Sequence, residues 1–396
     1  MIPSFDARKL RHIKAAPQPA QASERVLTRG DFDTAITEIR RWPGYAPTPL
    51  HRLARLADGL RIGGVRYKDE GPRFGLGSFK ALGGAYAAAR LLERELSRRL
   101  GREVELDEIR SGALATQTQA ITLTSATDGN HGRSLAWGAR MFGAPCRIYV
   151  HEDVSRGRVE AMQALDATVV VVNGDYDASV RICRDEAEAN GWFVVSDTSW
   201  EGYTQPPRDV MAGYGVMTNE IVEAMVAPPS HVLLQGGVGG LAASVTAALR
   251  QRWGQAGPRI IIVEPELAAC LYESAKIRRT TSVTITEETV MAGLSCGEPS
   301  ALAWEILFEE ASDFLTIPDE FVAPTMRLLA NPLDGDPAIA AGESAVATLA
   351  ALIAAAQQER WREALDLDET SVVLVVGSEG VTDPEIYRRI LAGASR

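Results

Sequence analysis

The chain has 396 residues, of which 46% are hydrophobic and 23% are charged, as in an ordinary globular protein of two or more domains. Its net charge of −11 argues against a nucleic-acid partner, because phosphate binding needs a clustered basic surface. No run reaches the roughly 18 apolar residues that a membrane span requires, so no membrane partner is expected.

The compartment and the metal content are predicted from the same composition. The first residues lack the basic and then apolar pattern of a secretory signal, which predicts a cytoplasmic protein. The four cysteines, Cys146, Cys183, Cys270 and Cys296, lie far apart, which argues against a zinc site or a disulfide framework. The five histidines also lack ligand spacing, so no metal is predicted.

Short β-branched runs alternate with helical patterns from residue 65 onward, which predicts an α/β protein with right-handed crossovers. Most of the runs are continuously apolar, which is typical of parallel strands buried on both faces. Residues 1–45 are predicted to form an irregular arm. The predicted strands are 65–68, 121–124, 147–150, 168–172, 192–195, 231–234, 259–263 and 371–376. The predicted helices are 80–100, 132–142, 155–165, 178–190, 239–253 and 342–358.

Lys80 opens the first long helix directly after Gly77, Ser78 and Phe79. A lone lysine on a helix is normally a solvated charge, but here the neighbours are small or apolar. Burial lowers the pKa of a lysine and prepares its amine to attack a carbonyl. Together with the loops described below, Lys80 predicts the Schiff-base lysine of a pyridoxal phosphate (PLP) site, and Phe79 is a candidate to pack against the pyridine ring.

A polar loop, residues 124–132, lies between a predicted strand and a predicted helix. Its amides are candidates to hold a substrate carboxylate at the helix start, and an Asp or Asn helix cap is the purely structural alternative. An acid at this place would repel an anionic substrate end. Asp128 is therefore predicted to be a chemical group, either a base or a group that recognises an ammonium.

A glycine-rich turn, residues 235–240, follows the predicted strand 231–234. Glycines let backbone N–H groups approach an anion at a helix N-terminus, so the turn predicts a phosphate site; a tight turn without a ligand is the alternative. The same residues fit G-x-G-x-x-A, and Glu264 lies where a ribose-binding acid would be expected. A nicotinamide-dependent dehydrogenase thus stays open for this turn alone. A dehydrogenase function would leave Lys80 without a role.

The last predicted strand, 371–376, is followed by Gly377, Ser378, Glu379 and Gly380. The Ser378 hydroxyl is a candidate to hydrogen-bond the pyridine nitrogen. A helix cap is the alternative.

The Ser78-Phe79-Lys80 motif, the Gly129-Asn130-His131 loop, the glycine turn and Ser378-x-Gly380 occur in the order that resembles the fold type II PLP enzymes, the group of tryptophan synthase β and threonine dehydratase. Asp128 before Gly-Asn-His, with segments 196–203, 290–299 and 342–344, resembles the diaminopropionate ammonia-lyases of that group. The similarity extends from about residue 30 to the C-terminus. Ser378 departs from the threonine expected there but keeps the hydroxyl.

The resemblance implies an α/β fold of two parallel-sheet domains with PLP in the cleft between them. Residues 1–84 and 205–396 would form the large, cofactor-binding domain, and residues 85–204 the small domain. The implied activity is a carbon–nitrogen lyase that converts a small-molecule amino-acid substrate, 2,3-diaminopropionate, to pyruvate and two ammonia by α,β-elimination. A homodimer is the expected assembly.

The resemblance also implies roles for individual residues. Lys80 is the Schiff-base lysine, and Asp128 is a second catalytic base on the opposite face. The cofactor-binding residues are Phe79, Lys80, Asn130, Gly236, Gly237, Val238, Gly239, Gly240 and Ser378. The substrate-binding residues are Thr127, Asp128, His131 and Asp197. Cys270 and Cys296, near the implied site entrance, are expected to approach each other, and whether they pair is left open.

Three other functions stay open. A serine or threonine dehydratase of the same fold is disfavoured by Asp128 and Asp197, because a neutral β-hydroxyl gives two carboxylates no cationic partner. The others are the nicotinamide dehydrogenase and a non-catalytic binding protein on an enzyme fold.

Overall fold

The computed structural model describes residues 1–16, 21–127, 129–254 and 256–393. The chain forms two compact units. The first comprises Met1–Arg29, Ala46–Ser78 and Met217–Arg396, and the second comprises Gly30–Tyr45 and Phe79–Val216. Among the described residues, no helix combines the length and the apolarity that crossing a membrane requires.

The strands are β1 (Arg11–Lys14), β2 (Leu50–Arg52), β3 (Gly64–Asp69), β4 (Leu123–Ala126), β5 (Cys146–His151), β6 (Thr168–Val172), β7 (Phe193–Val194), β8 (His231–Gln235), β9 (Arg259–Pro265), β10 (Asp313–Ile317) and β11 (Val372–Gly377). The helices are α1 (Ala22–Val26), α2 (Arg29–Ile39), α3 (Ala54–Leu60), α4 (Lys80–Leu100), α5 (Leu106–Arg110), α6 (Ala115–Thr118), α7 (Asn130–Phe142), α8 (Arg156–Gln163), α9 (Tyr176–Asn190), α10 (Gln205–Ala224), α11 (Gly240–Trp253), α12 (Cys270–Ile277), α13 (Ala301–Glu310), α14 (Val322–Ala330), α15 (Ala347–Ala356), α16 (Glu359–Leu365) and α17 (Pro384–Leu391).

The first unit contains a seven-stranded sheet in the order β1-β10-β9-β8-β11-β3-β2. Its five inner strands are parallel, and every residue of β8 is buried. Because parallel strands end at the same edge of a sheet, the neighbouring strands β8, β11 and β3 bring together the segments that follow them. These are the glycine turn after β8, the Ser378 segment after β11 and the segment after β3 that leads to Lys80.

The second unit contains a four-stranded parallel sheet in the order β6-β5-β4-β7. The polar loop after β4 and the loop after β7, which carries Asp197, therefore leave the sheet side by side. Helices α4 and α7 pack closely against each other. A Cβ on Gly138 would lie 2.6 Å from Cα of Ala85, and the Ser134 hydroxyl accepts a hydrogen bond from the Ala85 amide. This contact fixes α4, which begins at Lys80, against α7, which begins at Asn130.

All eight predicted strands are confirmed as strands, although the one predicted at 121–124 lies at Leu123–Ala126. The expectation of an irregular arm at residues 1–45 is wrong, because β1, α1 and α2 lie there. Strand β1 is a charged edge strand with no apolar run, so its sequence carries little signal. The predicted α/β fold with two parallel sheets is confirmed, and the edge strands β1 and β2 add antiparallel pairs at the two edges of the first sheet.

The Ala-rich helix α15 is buried along its whole length and forms part of the core of the first unit. It is shorter than the predicted helix 342–358. Residues before it form a turn, because Gly342 packs against the carbonyl oxygen of Gly380 and the Ser344 amide donates to the Glu379 carboxylate.

Candidate functional site

Lys80 is the first residue of α4, and its Nζ atom lies 2.8 Å from Oδ2 of Asp197. A cation in the first turn of a helix is disfavoured by the helix dipole, so the Asp197 carboxylate offsets an unfavourable placement. Burial alone would raise the pKa of Asp197, but the charge of Lys80 and its hydrogen bond hold that pKa well below its ordinary value. The pair is partly buried, with 23% of the Lys80 side chain and 21% of the Asp197 side chain exposed.

The loop that carries Asp197 is held by the side chains of Tyr203 and His131. The Tyr203 hydroxyl donates to the carbonyl oxygen of Val194 at 2.9 Å and accepts from the Ser196 amide at 3.0 Å. On the other side, Nε2 of His131 lies 2.8 Å from the carbonyl oxygen of Val195. The position of the Asp197 carboxylate is therefore fixed by contacts on both sides of the loop.

The contact with Val195 also fixes the tautomer of His131. A carbonyl oxygen only accepts hydrogen bonds, so Nε2 carries the proton. Burial lowers the pKa of His131, although the Asp197 carboxylate opposes the shift, and the ring is therefore neutral with Nδ1 as an acceptor. Nδ1 is buried, lacks a hydrogen-bond partner among the described residues and lies 3.9 Å from Oδ2 of Asp197. Two acceptors this close favour a cationic donor between them.

The other predicted residues of this unit lie around the same loops. Thr127 is buried after β4, and its hydroxyl accepts from the Gly129 amide at 3.3 Å. Asn130 is half-buried at the first position of α7. The Phe79 ring packs edge to face against Tyr214, with 4.7 Å between ring centroids. Asp128 lies outside the described residues.

In the first unit, the predicted phosphate turn connects β8 to the 14-residue helix α11. Gly237 and Gly239 have φ of +60° and +95°, which residues with a Cβ rarely adopt. A Cβ on Gly236 would lie 2.2 Å from Cγ of Glu264. The turn therefore requires glycine, and it leads into a helix N-terminus, where the first amides of a helix favour an anion.

Glu264 lies behind this turn and is fully buried at the end of β9. Its carboxylate accepts hydrogen bonds from the amides of Leu271 and Tyr272 at 2.9 and 2.6 Å, at the start of α12. Burial raises the pKa of Glu264 to about 8, and these two amides offset only part of the rise. Because the carboxylate binds its own backbone, Glu264 does not have the environment of the ribose-binding acid that the dehydrogenase interpretation needs.

Ser378 is buried immediately after β11. The strand end is connected to the glycine turn by Gln235, whose Nε2 donates to the carbonyl oxygens of Val376 at 2.6 Å and Ala345 at 3.2 Å. Gly377 is required here, because a Cβ would lie 2.2 Å from the hydroxyl oxygen of Tyr67. The glycine turn and the Ser378 segment are thus connected through the side chain of Gln235.

Segment 290–299 packs against the glycine turn. The Ser300 amide donates to the Val238 carbonyl oxygen at 2.9 Å, and the carbonyl oxygen of Gly293 lies 3.6 Å from the position of a Cβ on Gly237. The Cys270 thiol donates to the Gly237 carbonyl oxygen at 3.5 Å, and Sγ of Cys296 lies 3.6 Å from the same Cβ position. Both thiols thus lie beside Gly237, and all four cysteines are thiols.

These features fit PLP. The glycine turn leads into a helix N-terminus and has no space for a Cβ at Gly236, Lys80 presents a partly buried amine, and Nδ1 of His131 is an acceptor with no hydrogen-bond partner among the described residues.

Three contributors to this arrangement were not predicted from the sequence as site residues. They are Tyr203, which holds the Asp197 loop; Gln235, which joins two strand ends; and Glu264 in its role behind the glycine turn. Tyr203 lies in segment 196–203 and Gln235 directly precedes the glycines. Their place beside a motif was therefore the sequence signal that could have identified them as site residues.

Comparison with known proteins agrees with the geometry. A family model described as pyridoxal-phosphate dependent enzyme matches residues 41–378. The diaminopropionate ammonia-lyase of Escherichia coli strain K12 is 40% identical over 354 residues, which cover 88% of each chain. The holo form of the E. coli diaminopropionate ammonia-lyase has a similar structure, with a TM-score of 0.90 and 36% identity, covering 100% of this chain and 99% of that one. The complex of the E. coli protein with D-serine gives a TM-score of 0.89 and 35% identity over 98% of both chains.

Proposed function

Because the chain belongs to the family of pyridoxal-phosphate dependent enzymes, and within it to the diaminopropionate ammonia-lyases, we propose that it eliminates ammonia from 2,3-diaminopropionate to give pyruvate and two ammonia. Its cofactor is PLP, and its fold is that of the fold type II enzymes. The observation that carries the choice of substrate is the placement of Asp197 beside the Lys80 nitrogen and the unprotonated Nδ1 of His131.

Asp197 supports a substrate with a second ammonium group. In the structure, the Lys80 ammonium neutralises the Asp197 carboxylate at 2.8 Å. Once the Lys80 nitrogen is bound to the cofactor, this carboxylate needs another cation, since a buried charge without a partner is costly. The β-ammonium of the diamine supplies that charge, and a β-hydroxyl does not. This difference favours the diamine over serine or threonine.

Proton transfers are assigned to Lys80 and Asp128. When bound, PLP supplies the electron sink that accepts the charge released at Cα. The displaced Lys80 amine removes the α-proton from its own face, and Asp128 is the base for the opposite face. The neutral Nδ1 of His131 and the Asp197 carboxylate accept hydrogen bonds from the β-ammonium, which keeps that group protonated and able to leave.

The remaining assignments follow the same arrangement. The first unit binds the cofactor phosphate through Gly236, Gly237, Val238, Gly239 and Gly240, and it binds the cofactor's ring nitrogen through Ser378. Phe79 and Asn130 contact the cofactor ring, while Thr127 and His131 contact the substrate. We further propose that the protein is cytoplasmic, in keeping with four cysteines that are all thiols. We also propose that it is a homodimer.

One preparation of the enzyme tests the proposal. Pyruvate and ammonia are measured with L- and D-2,3-diaminopropionate and with L- and D-serine as substrates. The expected result is two ammonia per pyruvate and a much higher kcat/KM for a diamine than for either serine. A higher kcat/KM for serine would instead make the protein a dehydratase, and the absence of visible PLP absorbance would exclude the whole assignment. Sedimentation measurements test the dimer.

A further inference from the structure

Four charged side chains of the first unit are buried together, and the proposed chemistry uses none of them. Lys68, Glu70, Arg73 and Glu220 each expose 1% or less of their side chains. Two cations and two anions make the cluster neutral. Lys68 lies at the end of β3, Glu70 and Arg73 lie in the segment that follows, and Glu220 belongs to α10.

The cluster is closed by short hydrogen bonds. Nζ of Lys68 lies 2.6 Å from Oε2 of Glu220. The Arg73 guanidinium binds both carboxylates with two bonds each, at 2.8 Å to Glu70 and 2.7 Å to Glu220. Thr48 completes it, since its hydroxyl donates to Glu70 and its carbonyl oxygen accepts from Lys68 at 2.8 Å. Every charge therefore has a partner within the cluster.

Stability alone is a poor reason for such a cluster. The cost of removing two charges from water often exceeds their mutual attraction, and apolar replacements of buried ion pairs are frequently neutral or stabilising. Buried ionic groups are better understood where they select one arrangement of the chain over others. The cluster is therefore expected to act through the segment that it holds.

That segment, residues 70–78, has an uncommon backbone. Phe74, Gly75 and Gly77 have φ of +50°, +70° and +83°. A phenylalanine with positive φ is strained, so it persists only where surrounding contacts enforce it. Arg73, directly before Phe74, is the member of the cluster with the most hydrogen bonds and supplies that enforcement.

The same segment is paired with residues 377–380. The Glu70 amide donates to the carbonyl oxygen of Gly377 at 2.8 Å, and the Gly380 amide donates to the carbonyl oxygen of Gly77 at 2.9 Å. Ser78 and Glu379 form an antiparallel bridge. In the chain, Ser78 is two residues before Lys80, and Glu379 follows Ser378 directly. The pairing thus joins the segments that lead to two proposed PLP contacts.

We propose that the cluster of Lys68, Glu70, Arg73 and Glu220 is a positioning element for the reaction: it holds segment 70–78 in register with segment 377–380. The register sets the position of Ser78, two residues before Lys80 in the chain, relative to Ser378. The roles of Lys80 and Ser378 rest on the proposed function, whereas the register itself does not. The four residues are positioning residues, because none of them is assigned a contact with the cofactor or the substrate.

The test compares variants with a matched control. Glu220→Gln removes one charge and leaves the cluster positive. The double variant Lys68→Met/Glu220→Gln keeps it neutral, and it carries the test if the single variant fails to fold. The control is Asp313→Asn, because Asp313 is also fully buried in the first unit and pairs with Arg259 at 2.6 Å. This pair lies at the amino ends of β9 and β10, at the opposite ends of these strands from the glycine turn and Glu264.

Three measurements are made on each variant: amide hydrogen exchange of the PLP-free protein, the pH dependence of the visible absorbance of lysine-bound PLP, and kcat with KM for the diamine. In the Glu220 variants, exchange should accelerate in segments 70–78 and 377–380 together. The pH midpoint of the absorbance should shift, and kcat should fall about 10²-fold with little change in KM, as expected for a misplaced reacting group. Asp313→Asn should lose thermal stability without these effects. Glu220→Asp should restore part of the loss.

Loss of stability in the Glu220 variants with unchanged exchange, absorbance and kcat would overturn the proposal, because the cluster would then only support the fold. A wild-type protein that binds no PLP would refute the proposed function instead. In that case the exchange measurement still decides whether the cluster holds the register of the two segments.

Discussion

Nζ of Lys80 lies 2.8 Å from Oδ2 of Asp197, which joins the first residue of α4 to a loop 117 positions further along the chain. In the proposed function, the Asp197 carboxylate has two partners in turn. The observed partner is Lys80, and in the proposed function a Lys80 bound to PLP would leave the carboxylate to the second ammonium group of the substrate.

Lys80→Ala should abolish the visible absorbance of lysine-bound PLP and reduce elimination by orders of magnitude, because Lys80 is assigned as both tether and base. Lys80→Arg is the matched control. It keeps a positive charge for Asp197 and should preserve thermal stability, but it should lose the absorbance as completely as Lys80→Ala. Normal turnover in either variant would contradict the assignment of PLP to this lysine.

Asp197→Asn should lower kcat/KM for the diamine by about 10²-fold or more, since truncating one partner of a buried charge pair costs roughly 2–5 kcal/mol. Turnover of serine should change far less, because its hydroxyl gains little from the carboxylate. Steady-state kinetics on both substrates measure the difference. If both activities fell by the same factor, Asp197 would hold the loop and would not recognise the ammonium.

The sequence predicted the order of the chemical motifs well because each is local. Lys80 at a helix start and a glycine turn between a strand and a helix can be recognised from neighbouring residues alone. Strands β6, β9 and β11 were predicted for the same reason, since each contains four or five consecutive apolar residues. The inner strand β10 was not predicted, because Thr316 interrupts its short apolar run. The charged edge strand β1 and the three-residue strand β2 lack such a run, and only their pairing with β10 and β3 defines them.

Contacts between distant positions could not be predicted. Lys68 and Glu220 lie 152 positions apart, and each alone has the appearance of a solvated charge. The hydroxyl of Tyr203 and the tautomer of His131 likewise depend on where the carbonyl groups of Val194 and Val195 lie after folding. The roles of such side chains follow from strand order, which the hydrophobic pattern does not give.

Glu264→Gln should change how stability depends on pH. The pKa of Glu264 is about 8 in the folded protein and near its ordinary value of 4.5 when unfolded. Between these values the folded state holds a proton that the unfolded state has lost, so stability falls as pH rises, by about 1.4 kcal/mol per pH unit at most. The variant should lose this slope in thermal unfolding of the PLP-free protein from pH 5 to 8 (roughly the window that separates the two pKa values). Glu266→Gln, at an exposed position, should keep the slope.

Gly239→Ala should weaken PLP binding by at least about tenfold, because the added Cβ disturbs a backbone at φ +95° in the phosphate turn. Gly254→Ala is the matched control at the other end of α11. Gly254 also has positive φ, at +69°, but no atom lies within 4 Å of its Cβ position. Both variants carry the backbone strain, so both should unfold at lower temperature. Only Gly239→Ala should bind PLP more weakly in an absorbance titration, and equal affinities would remove the turn from the cofactor site.

Asp128→Asn tests the assignment of two bases to opposite faces of one planar intermediate. Lys80 reaches the α-proton only from its own face, which the family resemblance assigns to the L-isomer, and Asp128 serves the D-isomer. Removing a general base typically costs about 10²–10⁴-fold. The variant should therefore lose D-diaminopropionate turnover by that factor and L-turnover far less. PLP absorbance should be unchanged, because the proposed contacts of Asn130 with the cofactor ring and of the glycine turn with its phosphate remain. Asp153→Asn, at a side chain that is 87% exposed, serves as the control and should leave both activities intact. Equal losses on the two isomers would make Asp128 a binding or structural residue, and the two-base mechanism would then fail.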